Sequence, residues 1–124
     1  MVSLRKALLN SGPETTVNGT EIKATYKEIS KISTLPAQFS NLKKLHLSHN
    51  KISTLRGIEQ FQSLESVSLA FNKIPHIDEL YRIPRPPKIT NLNIYGNPLT
   101  KHPNHLRILM TIFPDLKKID DLDL

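Results

Sequence analysis

Two histidine pairs, His46-x-x-His49 and His102-x-x-His105, have the spacing in this sequence that most invites metal binding or proton transfer. Imidazole is the commonest neutral metal ligand and the side chain that titrates nearest neutral pH. A zinc site, however, needs three or four protein donors, and neither pair has a third at a suitable spacing. On a strand His46 points outward while His49 sits at the turn beyond it. The second pair opens a helix whose nearest following carboxylate is Asp115. Asp120, Asp121 and Asp123 form an acidic end without an opposed acid, base or nucleophile. Gly12, Gly19, Gly57 and Gly96 are isolated, so no phosphate-cradling loop is present. Cysteine is absent, which removes thiolate catalysis, disulfides and cysteine zinc sites together. The expectation is a chain that is not an enzyme, with no catalytic, metal or cofactor site and its histidines on the surface.

The elements beneath these residues repeat. Leu42-x-x-Leu45-x-Leu47-x-x-Asn50-x-Ile52-x-x-Leu55 returns as Leu64-x-x-Val67-x-Leu69-x-x-Asn72-x-Ile74-x-x-Ile77, offset by 22 at every position. It returns again as Ile89-x-x-Leu92-x-Ile94-x-x-Asn97-x-Leu99, offset by 25, and the extra length coincides with Pro84-Arg85-Pro86-Pro87. Proline cannot donate to a ladder, so the insertion belongs in a connection off the sheet. Upstream, Ile32-x-x-Leu35 and Phe39-x-x-Leu42 give the second half of an earlier repeat whose strand half is not recognisable.

The Leu-x-Leu period of two puts both apolar side chains on one face of a short strand. Apolar residues then recur every three, through Ile52, Leu55, Ile58, Phe61 and Leu64, as suits a tight helical or 3₁₀ return. One such coil cannot bury its face alone, so coils stack and share a core. The in-phase Asn50, Asn72 and Asn97 are expected to form a buried ladder, each amide pairing backbone groups at a sharp turn.

Residues 103–124 read as a cover for the last coil. Leu106, Leu109, Met110 and Phe113 have helical spacing, Pro103 suits the first turn and Pro114 stops the helix. Residues 1–31 are expected to be an N-terminal cap or a partly ordered segment. There, Ser3 can cap a two-turn helix ahead of Gly12, and Asn18-Gly19 can turn a short hairpin. Residues 32–102 are then the repeats.

Composition fits one globular domain: 124 residues, 38% hydrophobic and 23% charged, with a formal net charge of +6. No apolar run approaches the roughly 20 residues that cross a bilayer, and residues 1–12 lack a secretory pattern. An intracellular chain with no membrane contact is expected, and chance is the better explanation of the glycosylation sequon Asn18-Gly19-Thr20. The positive charge favours acidic partners, nucleic acid included, but no basic run exceeds two residues.

These motifs resemble the leucine-rich-repeat family, in its short 22-residue subclass typified by a protein phosphatase 1 regulator. The segments Gly96-Asn97-Pro98-Leu99, Pro103 to Phe113 and Pro114-Asp115-Leu116-Lys117-Lys118-Ile119-Asp120 are similar to that subclass's C-terminal cap. The usual Tyr-Arg of the cap helix is replaced by His105-Leu106-Arg107. The resemblance implies an α/β fold: a right-handed solenoid with a short parallel concave sheet, a helical or 3₁₀ convex side and a C-terminal capping helix. It extends to centrosomal and ciliary repeat domains such as that of centriolin, and more loosely to mRNA export receptors. What it implies is a monomeric, non-catalytic protein-binding scaffold module of the cytoplasm, centrosome or cilium. The alternative is a nuclear export-type module that contacts RNA or adaptor proteins.

A partner is expected on the concave face, at Tyr95, Phe71, His49, His46, Lys44 and Asn93. Exposed rings on a rigid sheet make interface anchors, although Phe71 can equally fold under the turn as core. The acidic and aromatic face of the phosphatase regulator is not reproduced, so phosphatase binding does not carry over.

Overall fold

The computed structural model describes residues 2–9, 16–18 and 20–124. Val2–Ser3 (β1) leads into the helix Leu4–Leu9 (α1), and Thr16–Val17 (β2), Glu21–Lys23 (β3) and Ile29–Lys31 (β4) follow. Each clear repeat then contributes one three-residue strand: Lys44–His46 (β5), Ser66–Ser68 (β6) and Asn91–Asn93 (β7). The chain ends with the helix His105–Ile112 (α2) and the hairpin Lys118–Ile119 (β8) and Leu122–Asp123 (β9).

The main sheet runs β2-β3-β5-β6-β7-β8-β9, parallel from β3 to β8 and closed at each end by an antiparallel hairpin. Such hairpins relieve the exposed parallel edges on which another chain would otherwise add. β1 pairs with β4 in a separate two-stranded sheet. Between strands the chain returns through 3₁₀ turns at Ala37–Phe39, Ile58–Gln60, Ile77–Arg82 and Pro98–Lys101. Gly57 opens the second of these at φ 111°, where a Cβ would overlap the Ile32 carbonyl. The proline insertion leaves the sheet undisturbed, since Ser66 still faces Asn91 and Ser68 still faces Asn93.

Inside the coils, Leu45, Leu47, Ile52, Leu55, Ile58, Phe61 and Leu64 are all buried. Each large aliphatic side chain so placed contributes about 1.5–3 kcal/mol of transfer free energy. The Asn50 amide donates to the Leu47 and Ala24 carbonyls, both at 2.9 Å, and its oxygen accepts from Lys27 and Ile29. Asn72 donates to Leu47 and Leu69 and accepts from Ile52. Asn97 donates to Leu69 and Ile94 and accepts from Ile74. Asp120 closes the series by accepting the Ile94 amide at 2.9 Å.

Two sequence expectations change. The strand half of the earliest repeat exists: Glu21–Lys23 lies parallel to Lys44–His46, with Ile22 opposite Leu45. Ala24 stands there for the second leucine, and Lys27 donates its backbone N–H to the Asn50 side chain of the next coil. The second change concerns α2, whose buried side comprises Leu109 with Phe113 just beyond, flanked by the partly buried Ile108 and Ile112. Leu106 and Met110 are exposed. The helix is apolar at six of eight positions between 106 and 113, so spacing alone allowed two stripes, and packing on the last coil selected the other.

At the N-terminus the Ser3 hydroxyl accepts the Lys6 amide at 3.2 Å, a helix cap. The expected hairpin is present as β2 on β3, with Asn18 accepting the Thr20 and Glu21 amides. Gly12 and Gly19 lie outside the described residues.

Candidate protein-binding surface

The sheet's outward residues stand in rows set by register. Glu21, Lys44, Ser66, Asn91 and Lys118 make one row, and Lys23, His46, Ser68 and Asn93 the next. His46 faces Glu21 at 4.0 Å, and the Ser48 and Ser68 hydroxyls share a 2.7 Å hydrogen bond. A shallow depression of about 300 Å³ lies over His46, Ser68, Asn93 and Lys118. Lys44 is exposed at one margin, while Asn93 is half-buried and accepts the Tyr95 amide at 3.2 Å. This face is hydroxyl- and amide-rich and mildly basic, suited to hydrogen bonding.

Where the strands end, four rings form a continuous column. Tyr26 stacks on His49 with centroids 4.4 Å apart, and His49 stacks on Phe71 at 4.7 Å. Tyr95 meets Phe71 edge-on at 5.6 Å. Backbone geometry causes the alignment. Tyr26, His49 and Phe71 all adopt φ near 57°, the left-handed region that costs a residue with a Cβ about 1–2 kcal/mol. Backbone bonds from His49 to Ala70 and from Phe71 to Tyr95 hold the turn in successive coils. The equivalent position in the next coil is Gly96, also left-handed, and Phe71 lies directly over it.

Phe71 is therefore surface rather than core, 47% exposed, with Tyr95 at 62% and Tyr26 at 71%. The structure brings Tyr95, Phe71 and His49 together in the column, while His46, Lys44 and Asn93 lie on the adjoining sheet. Sequence reasoning missed Tyr26. Its offset of 23 from His49 was the available signal, hidden because Lys27 replaces the marker asparagine. Among the described residues no further His, Asp or Glu joins either histidine pair in a possible ligand set. His49 is sandwiched between rings, and His105 turns its Nδ1 to the His102 carbonyl.

Stacked parallel coils of this kind, three of them closed by a buried asparagine, have known counterparts. Residues 40–82 match leucine-rich repeats in two copies. Along its whole length the chain superposes on a chain of the crystal structure of the Drosophila melanogaster SNF/U2A' complex, with a TM-score of 0.67 at 20% identity, covering 86% of that chain. The fold is a leucine-rich-repeat fold. Among sequence relatives, human leucine-rich repeat-containing protein 36 is 33% identical over 84 residues, which is 67% of this chain and 11% of that protein. Centrosomal protein of 72 kDa from Mus musculus is 30% identical over 102 residues, 81% of this chain and 16% of that protein. The chain thus spans under a fifth of the length of either relative.

Within this repeat domain Gly96 governs the ring column, because a Cβ there would stand 2.6 Å from Cδ1 of Phe71. Gly96→Ala is expected to expel the Phe71 ring and to cost about 1–2 kcal/mol through its left-handed φ. Proton spectra check this: the Phe71 contribution to the ring-current shifts on His49 should be lost, with that of Tyr26 retained, while the Leu69 and Ile94 methyl signals stay put. Unchanged His49 shifts would contradict the packing.

Proposed function

We propose that this leucine-rich-repeat chain is a non-catalytic protein-binding module of a centrosomal or ciliary scaffold, and that its partner docks where the ring column meets the concave sheet. The observation that carries the docking site is the run of exposed, mutually braced rings beside a rigid strand array. Rings immobilised before binding lose little side-chain entropy on contact, so more of their buried area appears as affinity. The centrosomal setting is supported by the similarity to centrosomal protein of 72 kDa across most of this chain.

Tyr95 is the expected anchor, since truncating a central aromatic anchor commonly costs about 2 kcal/mol or more. Tyr95→Ala should weaken partner binding more than tenfold and leave the thermal midpoint unchanged. Arg85→Ala, in the proline-rich connection away from the sheet, should change neither. Proximity labelling in dividing cells, followed by titration of both variants against the recovered partner, provides the test. Recovery of RNA-bound nuclear proteins would favour the export-type alternative. Loss of binding on Arg85→Ala with Tyr95→Ala silent would move the interface to the outer loops.

A further inference from the structure

Beside the ring column runs a second column with unbalanced charge. Glu28, Lys51 and Lys73 occupy equivalent positions two residues beyond Tyr26, His49 and Phe71, and each lysine amide bonds to the coil before it. The Lys51 ammonium takes the Glu28 carboxylate at 3.4 Å. Lys73, one coil on, has Lys51 rather than an acid in the preceding rung, and among the described residues no carboxylate lies within 4.0 Å of it. A groove of about 520 Å³ runs between the rings and these ammonium groups, lined by Tyr26, Glu28, His49, Lys51, Phe71 and Lys73.

We infer that this groove takes carboxylate side chains of an acidic segment in the protein partner, with Lys73 as their principal ion pair. The inference rests on the docking site proposed above and adds the partner's chemistry. Three features support it. Glu28 shows that the groove accommodates a carboxylate against a lysine, and the next rung repeats the lysine without the acid. The ring faces are largely consumed by stacking on each other, so the column offers the groove mainly edges, which carry the positive end of the aromatic quadrupole and attract oxygen anions. A nucleic-acid strand, by contrast, needs open ring faces on which bases can stack, and of the rings lining the groove only Tyr26 keeps a face free of stacking or edge contact.

The test uses the whole chain, isotopically labelled, titrated with three probes: a blocked peptide alternating Glu and Leu, the same peptide with every Glu replaced by Lys, and a single-stranded uridine 12-mer. The acidic peptide should shift the amides of His49, Lys51, Phe71 and Lys73, and its affinity should fall at least fivefold between 50 and 300 mM salt. Lys73→Glu should weaken it tenfold or more, and Arg85→Glu should not. Glu28→Gln should strengthen it about twofold by freeing Lys51, a gain that damage to the fold would not produce. Equal binding of the basic peptide, tighter binding of the RNA, or indifference to Lys73→Glu overturns the inference. A cellular partner that depends on Tyr95 but ignores Lys73→Glu overturns this inference alone and leaves the docking site standing. A partner indifferent to both overturns the two together.

Discussion

Removing residues 103–124 should abolish the cooperative unfolding transition and leave an insoluble or molten chain, not a slightly weaker one. That segment supplies the buried Leu109, Phe113 and Ile119, and it supplies β8, which pairs with the edge of β7. Three such side chains at about 1.5–3 kcal/mol each contribute roughly 5–9 kcal/mol, against a total stability for a small domain of about 5–15 kcal/mol. Their removal also uncovers Leu80, Leu92 and Leu99 and opens a parallel edge to other chains. Circular dichroism with urea titration and gel filtration would measure the outcome. Leu106→Glu with Met110→Glu is the matched control: both side chains are exposed, so the double variant should unfold within about 0.5 kcal/mol of the parent. A soluble fragment of residues 1–102 with a sharp transition would show the cover to be dispensable.

The sequence was most legible where one side chain has one job. Leu45, Leu47 and Ile52 need only be apolar and periodic, and Asn50, Asn72 and Asn97 are the polar residues whose amides both donate and accept at the turn. Legibility failed where a job passes between coils. At Lys27 the turn is served from outside, by the Asn50 oxygen, so the first coil could lose its own asparagine and with it the mark by which a repeat is recognised. The stripe expected on α2, with Leu106 and Met110, fails for another reason: Leu106, Ile108, Leu109, Met110, Ile112 and Phe113 offer more apolar surface than the last coil can cover, and only packing decides. The ring column depends on three left-handed backbone conformations and on the missing Cβ of Gly96, and neither is visible in hydropathy. Phe71 was thus undecided between core and surface until its φ placed it outside. The shared rung of Lys51 and Lys73 appears only when the coils are stacked in register.

Asn72→Leu should destabilise the fold, although it adds apolar volume at a buried site. The Asn72 amide satisfies the Leu69 carbonyl within its own coil and the Leu47 carbonyl of the coil before, while its oxygen accepts the Ile52 amide at 3.0 Å. Leucine can replace none of these. The Leu47 carbonyl keeps its bond from Asn50 and the Leu69 carbonyl its bond from Asn97, so the uncompensated group is the Ile52 N–H. One buried orphan donor gives a loss of about 1–3 kcal/mol, and the two carbonyls that each lose one of two donors place it toward the upper end. Because the bonds cross between coils, the damage should also reach beyond the mutated repeat: hydrogen exchange at Ile52 and Lys73 should accelerate together. Asn72→Asp separates polarity from the donor, since it keeps the acceptor for Ile52 but turns a carboxylate toward the Leu47 and Leu69 carbonyls. It should therefore destabilise at pH 7 at least as much as leucine does. A thermal midpoint unchanged by Asn72→Leu would mean that water reaches these groups and that the asparagines do not hold the coils together.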